Sequence, residues 1–255
     1  TGTVEFRDVS FRYPHAAADE LEHISFRVER GQTLAIIGAT GSGKTTLAGL
    51  IPRFYDATQG TVLADGVDVR DYTFDALYDR LGYVTQKAVL FSGTVQDNIF
   101  FGQSEAADTD ETLQQALQLS QAAEFVDRYP EKAAHPIAQL GRNVSGGQKQ
   151  RLSIARALAR RPEILIFDDS FSALDYKTDA TLREGLAKQL PGTTKIIVAQ
   201  RISTIRHADQ ILVLDRGEIA GLGTHDALMA SCPVYREIAM SQLSEEELKK
   251  GGASK

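Results

Sequence analysis

Two neighbouring carboxylates follow an apolar run in the second half of the sequence. The stretch ILIFDDSFSALD places Asp168 and Asp169 directly after four apolar residues, a composition typical of a buried strand. An acid at the end of such a strand can hold a metal ion, and an acid beside it can accept a proton from an attacking water. The pair therefore predicts metal-dependent chemistry at a strand end.

A second candidate site lies nearer the N-terminus, where residues 38–45 read GATGSGKT and match G-x-x-x-x-G-K-[ST]. Its glycines let backbone amides point at phosphate oxygens, and the helix that follows adds its positive N-terminal end. We expect Lys44 to reach the β- and γ-phosphates, Thr45 to ligate Mg²⁺, and Asp168 to complete the metal site. The residues predicted to bind the nucleotide phosphates are Gly38, Ala39, Thr40, Gly41, Ser42, Gly43, Lys44, Thr45 and Thr46.

A third turn precedes the helical pattern KQRLSIARALARRP and consists of Ser145, Gly146, Gly147 and Gln148. A Ser-Gly-Gly turn that opens a helix can face a phosphate. The same turn can also be an ordinary N-terminal helix cap, and its residues alone do not decide between these two interpretations.

The elements that must position these residues follow from hydrophobic periodicity. Alternation predicts antiparallel strands at 4–13 and 21–31, and continuous apolar runs predict buried strands at 32–38, 163–168 and 195–200. Further expected elements are helices at 44–55 and 112–129, strands at 60–69 and 81–86, and a hairpin at 209–223 turning at Arg216 and Gly217. Strands that alternate with helices predict an α/β class with a parallel core.

The domain organisation is predicted from a change of character after residue 86. We expect an ATP-binding core with an antiparallel sub-domain at 1–86 and 157–242, a helical sub-domain at 87–156, and a flexible tail at 243–255. The first residue, Thr1, is not a methionine and lies close to the first strand, which suggests a domain cut from a longer protein.

Composition narrows the function classes. The chain has 255 residues and a net charge of −6, which argues against the broad basic face of a nucleic-acid binder. No apolar run approaches the roughly 20 residues that span a bilayer. The single cysteine, Cys232, excludes an internal disulfide and fits a reducing compartment.

Together these motifs resemble the nucleotide-binding domain of an ABC transporter, over residues 3 to about 242, and their surrounding phrases resemble the exporter branch. The matching positions are Tyr13 in FRYP, the Walker A loop GATGSGKT, Gln86 in YVTQ, the signature Ser145, Gly146, Gly147 and Gln148, the Walker B strand ending at Asp168, and the D-loop Ser172, Ala173, Leu174 and Asp175. The resemblance implies a P-loop NTPase (RecA-like) α/β core with an N-terminal antiparallel β sub-domain and an inserted α-helical sub-domain.

The resemblance also implies cofactors and partners. ATP and Mg²⁺ are the expected ligands, with Tyr13 stacking on adenine and Thr45, Gln86 and Asp168 around the metal. Two such domains would pair head to tail, each signature serving the other's ATP. A transmembrane domain would place this chain at the cytoplasmic face of the plasma (inner) membrane, in an integral membrane transporter.

Two positions depart from the family pattern. Asp169 stands where the family usually has the glutamate that acts as general base, and its carboxylate is about 1.5 Å further back; a misplacement of about 1 Å can cost roughly a hundredfold in rate. Gln200 stands in the place of the switch histidine, and its amide can donate a hydrogen bond but cannot carry charge. The alternative interpretation of Gln200 is a polar residue at a strand end that is neutral to function.

These departures favour the degenerate half of a heterodimeric exporter, an ATPase that hydrolyses slowly at its own site while giving an intact signature to its partner. A homodimeric exporter that hydrolyses ATP with Asp169 is the first alternative. A soluble ABC ATPase acting in nucleic-acid maintenance or translation is the second, and the acidic net charge weighs against it.

Overall fold

The computed structural model describes residues 1–103 and 109–251 of the chain. Two sheets and a group of helices form an α/β fold, as the alternation of strands and helices predicts. In the part of the chain that the structure describes, no helix combines the length and the apolar character needed to cross a bilayer.

The larger sheet has six strands, five of them parallel. Its strands, in spatial order, are β12 (Glu218–Gly223), β11 (Gln210–Asp215), β3 (Thr33–Gly38), β10 (Thr194–Val198), β9 (Ile164–Asp168) and β6 (Leu81–Val84). Only β12 runs antiparallel to its neighbour. Because parallel strands end at the same edge of a sheet, the segments that follow β3, β9 and β10 lie close together.

The smaller sheet is antiparallel and is formed by strands from the N-terminal part of the chain. Its strands, in spatial order, are β2 (Leu21–Val28), β1 (Val4–Phe11), β4 (Gln59–Ala64) and β5 (Val67–Asp68). A short third sheet pairs β7 (Gly93–Thr94) with β8 (Pro136–Ile137). The two N-terminal strands therefore pair antiparallel, as the sequence predicts.

Most of the helices lie between strands in the chain, and the last two follow the final strand. Their bounds are α1 (Lys44–Gly49), α2 (Phe74–Tyr78), α3 (Val95–Ile99), α4 (Asp110–Leu119), α5 (Ala123–Val126), α6 (Gly146–Ala159), α7 (Tyr176–Gln189), α8 (Ile202–Ile205), α9 (His225–Ser231) and α10 (Pro233–Gly251). Short 3₁₀ turns lie at Val69–Asp71, Lys132–Ala134 and Gln139–Gly141.

The larger sheet separates two hydrophobic cores, which explains why its strands are apolar on both faces. Along β9, Ile164 and Ile166 pack in the core shared with the smaller sheet. Leu165 and Phe167 pack in the core shared with the helices of the middle segment. This alternation follows from the period of two along a strand, and it holds the end of β9 rigidly between two packed layers.

Two predicted helices are shorter than the sequence suggests. The helix expected over 44–55 ends at Gly49, because Pro52 cannot donate a backbone hydrogen bond and disfavours helical geometry in the residue before it. The single helix expected over 112–129 is wrong: it breaks into α4 and α5, with Gln121 at a φ of 65°. A left-handed residue cannot continue a right-handed helix.

The predicted boundaries between the core, the helical sub-domain and the tail do not coincide with the ends of helices. Helix α6 runs across the boundary drawn at 156, and the backbone of α10 stays helical to Gly251, beyond residue 242. The division into a core, a helical sub-domain and a tail therefore stays a prediction.

A buried carboxylate organises the region between α7 and α8. Asp179 is 1% exposed and accepts hydrogen bonds from Arg183 at 2.5 Å and from the Thr204 hydroxyl at 2.7 Å. Arg201 forms a second ion pair with it at 3.2 Å. One acid is therefore the shared ion-pair partner of two partly buried guanidinium groups.

Replacing Asp179 with alanine should lower the free energy of unfolding by about 3 kcal/mol, because both guanidinium groups lose their shared counter-ion. Urea unfolding of the purified chain measures the change. The matched control Glu184→Ala removes an exposed acid of the same helix, paired with Lys188, and should leave stability essentially unchanged. Equal unfolding midpoints for the two variants would contradict the prediction.

Candidate functional site

The predicted phosphate-binding loop connects β3 to α1 through two glycines with positive φ. Gly41 and Gly43 have φ values of 78° and 101°, a region that glycine adopts without steric cost. A side chain at position 41 would meet no atom within 4 Å, so this face of the loop is open. Gly43 precedes α1 and no side chain caps that helix. Its first amides therefore lack a side-chain acceptor, which suits an anion.

Lys44 lies across the mouth of this loop. Its ammonium donates to the carbonyl oxygens of Gly38 at 2.7 Å and Ala39 at 2.9 Å. Burial lowers the pKa of Lys44, and the nearby charges of Asp169 and Asp168 oppose that shift. An ammonium has three N–H donors, so one remains for a phosphate oxygen.

The predicted metal ligands Thr45 and Asp168 are in contact. The Thr45 hydroxyl donates to one Asp168 oxygen at 3.0 Å, and the Tyr83 hydroxyl donates to the other at 3.2 Å. Burial raises the pKa of Asp168, while these two hydrogen bonds and the charge of Lys44 lower it.

This oxygen pair fits Mg²⁺. Octahedral Mg²⁺ holds its ligands at about 2.1 Å, which places adjacent ligand oxygens about 2.9 Å apart. The Thr45 to Asp168 distance matches that spacing. No group of three or more acidic, histidine or cysteine side chains among residues 1–103 and 109–251 could hold a metal alone. A magnesium ion here would thus share its ligands with phosphate oxygens and water.

Asp169 is held by amides from two other strands. Its carboxylate accepts from Gln86, just after β6, at 3.0 Å and from Gln200, just after β10, at 3.4 Å. The backbone of Asp169 has a φ of 52°, which is unusual outside glycine. Burial and the charge of Asp168 raise the pKa of Asp169, while Lys44 and Arg201 lower it.

The residues after β10 connect this carboxylate to two other elements. Arg201 donates to the carbonyl oxygen of Leu174 in the D-loop and to that of Phe171 just before it. Gln242 of α10 donates to the Gln200 carbonyl oxygen at 2.5 Å and accepts from the Ile202 amide at 2.7 Å. The segment 200–202 therefore joins the loop at Asp169, the D-loop and the C-terminal helix.

These groups surround a cavity of about 260 Å³. Its lining residues are Glu20, Thr40, Gly41, Gly43, Lys44, Thr45, Thr46, Gln86, Asp169, Val198 and Gln200. This volume is below the roughly 300–1,000 Å³ that encloses a drug-sized ligand. It suits a polyphosphate chain, with a nucleoside extending outside.

Tyr13 lies beside this cavity but does not line it. Its hydroxyl is 2.6 Å from the Thr46 hydroxyl, and its ring makes edge contacts with Phe11 and Tyr55. Thr46 is a lining residue, so Tyr13 flanks the side of the cavity next to α1. The stacking of Tyr13 on adenine stays a prediction.

The signature turn begins α6 as a helix cap. The Ser145 hydroxyl accepts from the Gln148 amide, and the Gln148 side chain accepts from the Ser145 amide in return. Ser145 and Gly146 are exposed, and none of the four residues 145–148 lines the cavity around Lys44. The capping interpretation is thus satisfied, while a role for this turn toward a second nucleotide stays a prediction.

The D-loop lies between the signature turn and Asp169. A side chain at position 147 would come within 3.2 Å of the Ala173 carbonyl oxygen, so glycine allows this close approach. The Ser172 hydroxyl donates to the Asp169 carbonyl oxygen at 3.0 Å, and Asp175 caps α7 through the Thr178 amide. The loop is therefore tied at both ends.

The structure thus brings most of the predicted residues together and adds four that the sequence did not indicate. Four predicted residues adjoin the cavity without lining it, namely Gly38, Ala39, Ser42 and Asp168. Gln86 contacts Asp169, and its role as a metal ligand stays a prediction. The residues missed were Glu20, Tyr83, Arg201 and Gln242. The alternation of LGYVTQ could have suggested Tyr83, but nothing local distinguishes Gln242.

Comparison with known proteins agrees with this geometry. The family model described as "ABC transporter" matches residues 21–172. An uncharacterized ABC transporter ATP-binding protein of Mycobacterium tuberculosis is 47% identical over 243 residues, covering 95% of this chain and 41% of that protein. An ATP-dependent lipid A-core flippase of Aromatoleum aromaticum is 42% identical over 246 residues, covering 96% and 41%.

A solved structure shows the same fold. The ATP-bound structure of a bacterial Atm1-family ABC exporter superposes with a TM-score of 0.89 at 37% identity, covering 95% of this chain and 42% of that one. The chain thus spans about two fifths of the length of the proteins it matches. From its motifs, its fold and these relatives, the chain belongs to the ABC transporter family, as an ATP-binding domain of exporter type.

Proposed function

We propose that this chain is the ATP-binding domain of a heterodimeric ABC exporter and forms that exporter's degenerate ATP site. One observation carries the proposal: the short Asp169 carboxylate is held by the amides of Gln86 and Gln200 beside a complete binding set. Lys44 and the Thr45–Asp168 pair retain the geometry needed to bind phosphate and Mg²⁺. The site is thus equipped to hold ATP and poorly equipped to hydrolyse it.

The binding half of the proposal rests on the fit of the loop and the metal pair. Bound Mg²⁺ would polarise phosphate oxygens and neutralise their charge. Lys44 contributes a positive charge at the loop mouth, and Thr45 and Asp168 contribute hard oxygen ligands. Tyr83 donates to the Asp168 oxygen that does not contact Thr45, which orients the carboxylate.

The slow hydrolysis follows from the short reach of the Asp169 side chain and not from the basicity of its carboxylate. Burial raises the pKa of Asp169, which strengthens it as a proton acceptor. Its side chain, however, is one methylene shorter than the glutamate of the family pattern, about 1.5 Å. Hydrogen bonds from Gln86 and Gln200 also engage one of its oxygens. A longer side chain at position 169 would be needed to position the attacking water.

Gln200 provides a neutral amide where the family pattern has histidine. Its side chain donates to Asp169, which a neutral amide can do without any change of protonation. It cannot add positive charge near a terminal phosphate or move a proton. Both positions that would support cleavage therefore depart in the same direction.

The exposed signature supports a partner-directed role. Ser145 and Gly146 face solvent away from the cavity of their own chain, in a position suited to a ligand held by a second domain. A chain with a weak base and an intact signature is useful in a pair whose other member has a competent base. The partner proposed is therefore a different ATP-binding chain.

Export itself is proposed from the relatives. The lipid A-core flippase and the Atm1-family exporter are more than twice as long as the part that this chain matches. We propose that a transmembrane domain accompanies this domain and that ATP binding at the cytoplasmic face of the plasma (inner) membrane powers transport.

Substituting Asp168 with asparagine should remove the part of the ATP affinity that depends on Mg²⁺, a loss of at least about tenfold. A fluorescent ATP analogue titrated with Mg²⁺ and with EDTA measures it on the purified chain. EDTA should weaken binding to the wild type and have no further effect on the variant. The control Asp226→Asn, an exposed acid of α9, should behave as the wild type. A wild type indifferent to EDTA would count against the metal site.

The degenerate site is tested by steady-state ATPase of the reconstituted transporter. Asp169→Asn should change turnover by less than about twofold, whereas replacing the partner's catalytic glutamate should nearly abolish it, because misplaced bases contribute little. If Asp169→Asn is equally crippling, Asp169 is a working base and the homodimeric alternative is favoured.

A gain-of-function variant tests the same idea from the other side. The double substitution Asp169→Glu with Gln200→His restores reach and charge, and should raise ATP turnover at this site by at least about tenfold when the partner's glutamate is removed. The single substitution Gln200→His should give less. No gain from the double variant would indicate that hydrolysis is limited elsewhere.

A further inference from the structure

A side chain of the C-terminal helix reaches the backbone of the segment that carries Gln200. The Gln242 amide nitrogen donates to the Gln200 carbonyl oxygen at 2.5 Å. The Gln242 amide oxygen accepts from the backbone amide of Ile202 at 2.7 Å. One planar amide therefore pairs with two backbone groups that lie two residues apart.

This contact needs a group that donates and accepts at the same time. Among uncharged side chains the carboxamide offers an N–H donor and a carbonyl acceptor side by side. A hydrocarbon, an ammonium or a carboxylate at position 242 would satisfy at most one of the two backbone groups. The pairing is thus specific to the chemistry of this side chain.

Other residues of α10 pack against the core. Tyr235 is 0% exposed and belongs to the core shared with the helices, and Val234 and Ile238 pack against that core. Tyr235 also forms a 2.6 Å hydrogen bond with His225 of α9. Apolar burial therefore anchors the helix, and Gln242 is free to serve the segment opposite it.

The segment it holds is short and reaches the nucleotide cavity at its first residue. Gln200 lines the cavity, and its side chain donates to Asp169 at 3.4 Å. The next residue is Arg201, whose side chain donates to the carbonyl oxygens of Leu174 in the D-loop and of Phe171 just before it. With its neighbour fixed on one side and its own carbonyl fixed by Gln242, Gln200 has little freedom to leave the cavity.

We propose that Gln242 is a positioning residue: the C-terminal helix sets where Gln200 lies in the nucleotide cavity. This inference rests on the proposed function of the cavity as an ATP site. It makes α10 a structural input to ATP binding, although none of the side chains described for that helix, residues 233–242, lines the cavity.

The first test needs no nucleotide and is made on the full-length transporter. Gln242→Met keeps the length of the side chain and removes both hydrogen bonds. Hydrogen exchange of peptides covering residues 200–205 should then accelerate about three- to tenfold, because the Ile202 amide loses its acceptor. Ser241→Ala, at the exposed neighbouring position, should leave exchange unchanged. Unchanged exchange in Gln242→Met would overturn the inference.

The second test asks whether the effect passes through Gln200. Photolabelling of this chain with azido-ATP and Mg²⁺ should show a Kd about three- to tenfold weaker in Gln242→Met than in the wild type. In a Gln200→Ala background the same substitution should add nothing, since residues that act through one another are not additive. Gln242→Glu, which replaces the donor with an oxygen, should also weaken binding.

The outcomes separate this inference from the proposed function. If the wild type takes up no label, the proposed ATP site itself is contradicted. A wild type that binds, with Gln242→Met binding equally well or with its effect intact in the Gln200→Ala background, would overturn only the role of Gln242. Thermal melting of every variant shows whether α10 stays docked, and the exchange test holds irrespective of nucleotide.

Discussion

The candidate site depends on one constraint, which is that three parallel strands end side by side at the same edge of a sheet. β3, β10 and β9 are adjacent, so the phosphate loop, Gln200 and the Asp168–Asp169 pair meet at their carboxyl ends. The hydrogen bond from Thr45 to Asp168 joins residues 123 positions apart in the chain. Apolar layers on both faces of the sheet hold this edge in place.

The backbone at this edge of the sheet directs the Asp169 side chain. Its backbone leaves β9 in a left-handed conformation, and its amide still bonds to the Val198 carbonyl oxygen of β10. Strain of this kind persists only where surrounding contacts over-determine it. Gln86, Gln200 and Ser172 provide those contacts. The conformation thus fixes the side chain toward the cavity, and the length of that side chain then limits what it can reach.

The segment after β10 connects the cavity to the D-loop, to the buried Asp179 and to the C-terminal helix. Arg201 bonds to the D-loop and pairs with the buried Asp179, while Gln242 holds the backbone on either side of Arg201. Packed elements with few alternatives transmit displacement efficiently. A displacement of α10 would therefore act on the Gln200 backbone through a direct hydrogen bond.

Much of the fold was accessible from periodicity and turn chemistry. The buried strands, the N-terminal antiparallel pair and the hairpin at Arg216 and Gly217 are local patterns with strong signals. Helix lengths were less accessible. The sequence around Gln121 contains no proline or glycine to mark the break between α4 and α5, so the apolar periodicity predicted one continuous helix.

By itself the sequence determined the chemistry of the site: which residues carry phosphate-binding amides, metal-ligand oxygens and a shortened acid. These are properties of residue type and short spacing, which the chain carries whatever its tertiary structure. Only the fold decided that Gln86 and Gln200 both engage Asp169, that Tyr83 orients Asp168, and that Gln242 holds Gln200. Such contacts join residues far apart in the chain, and their geometry exists only once the strands have been brought to a common edge.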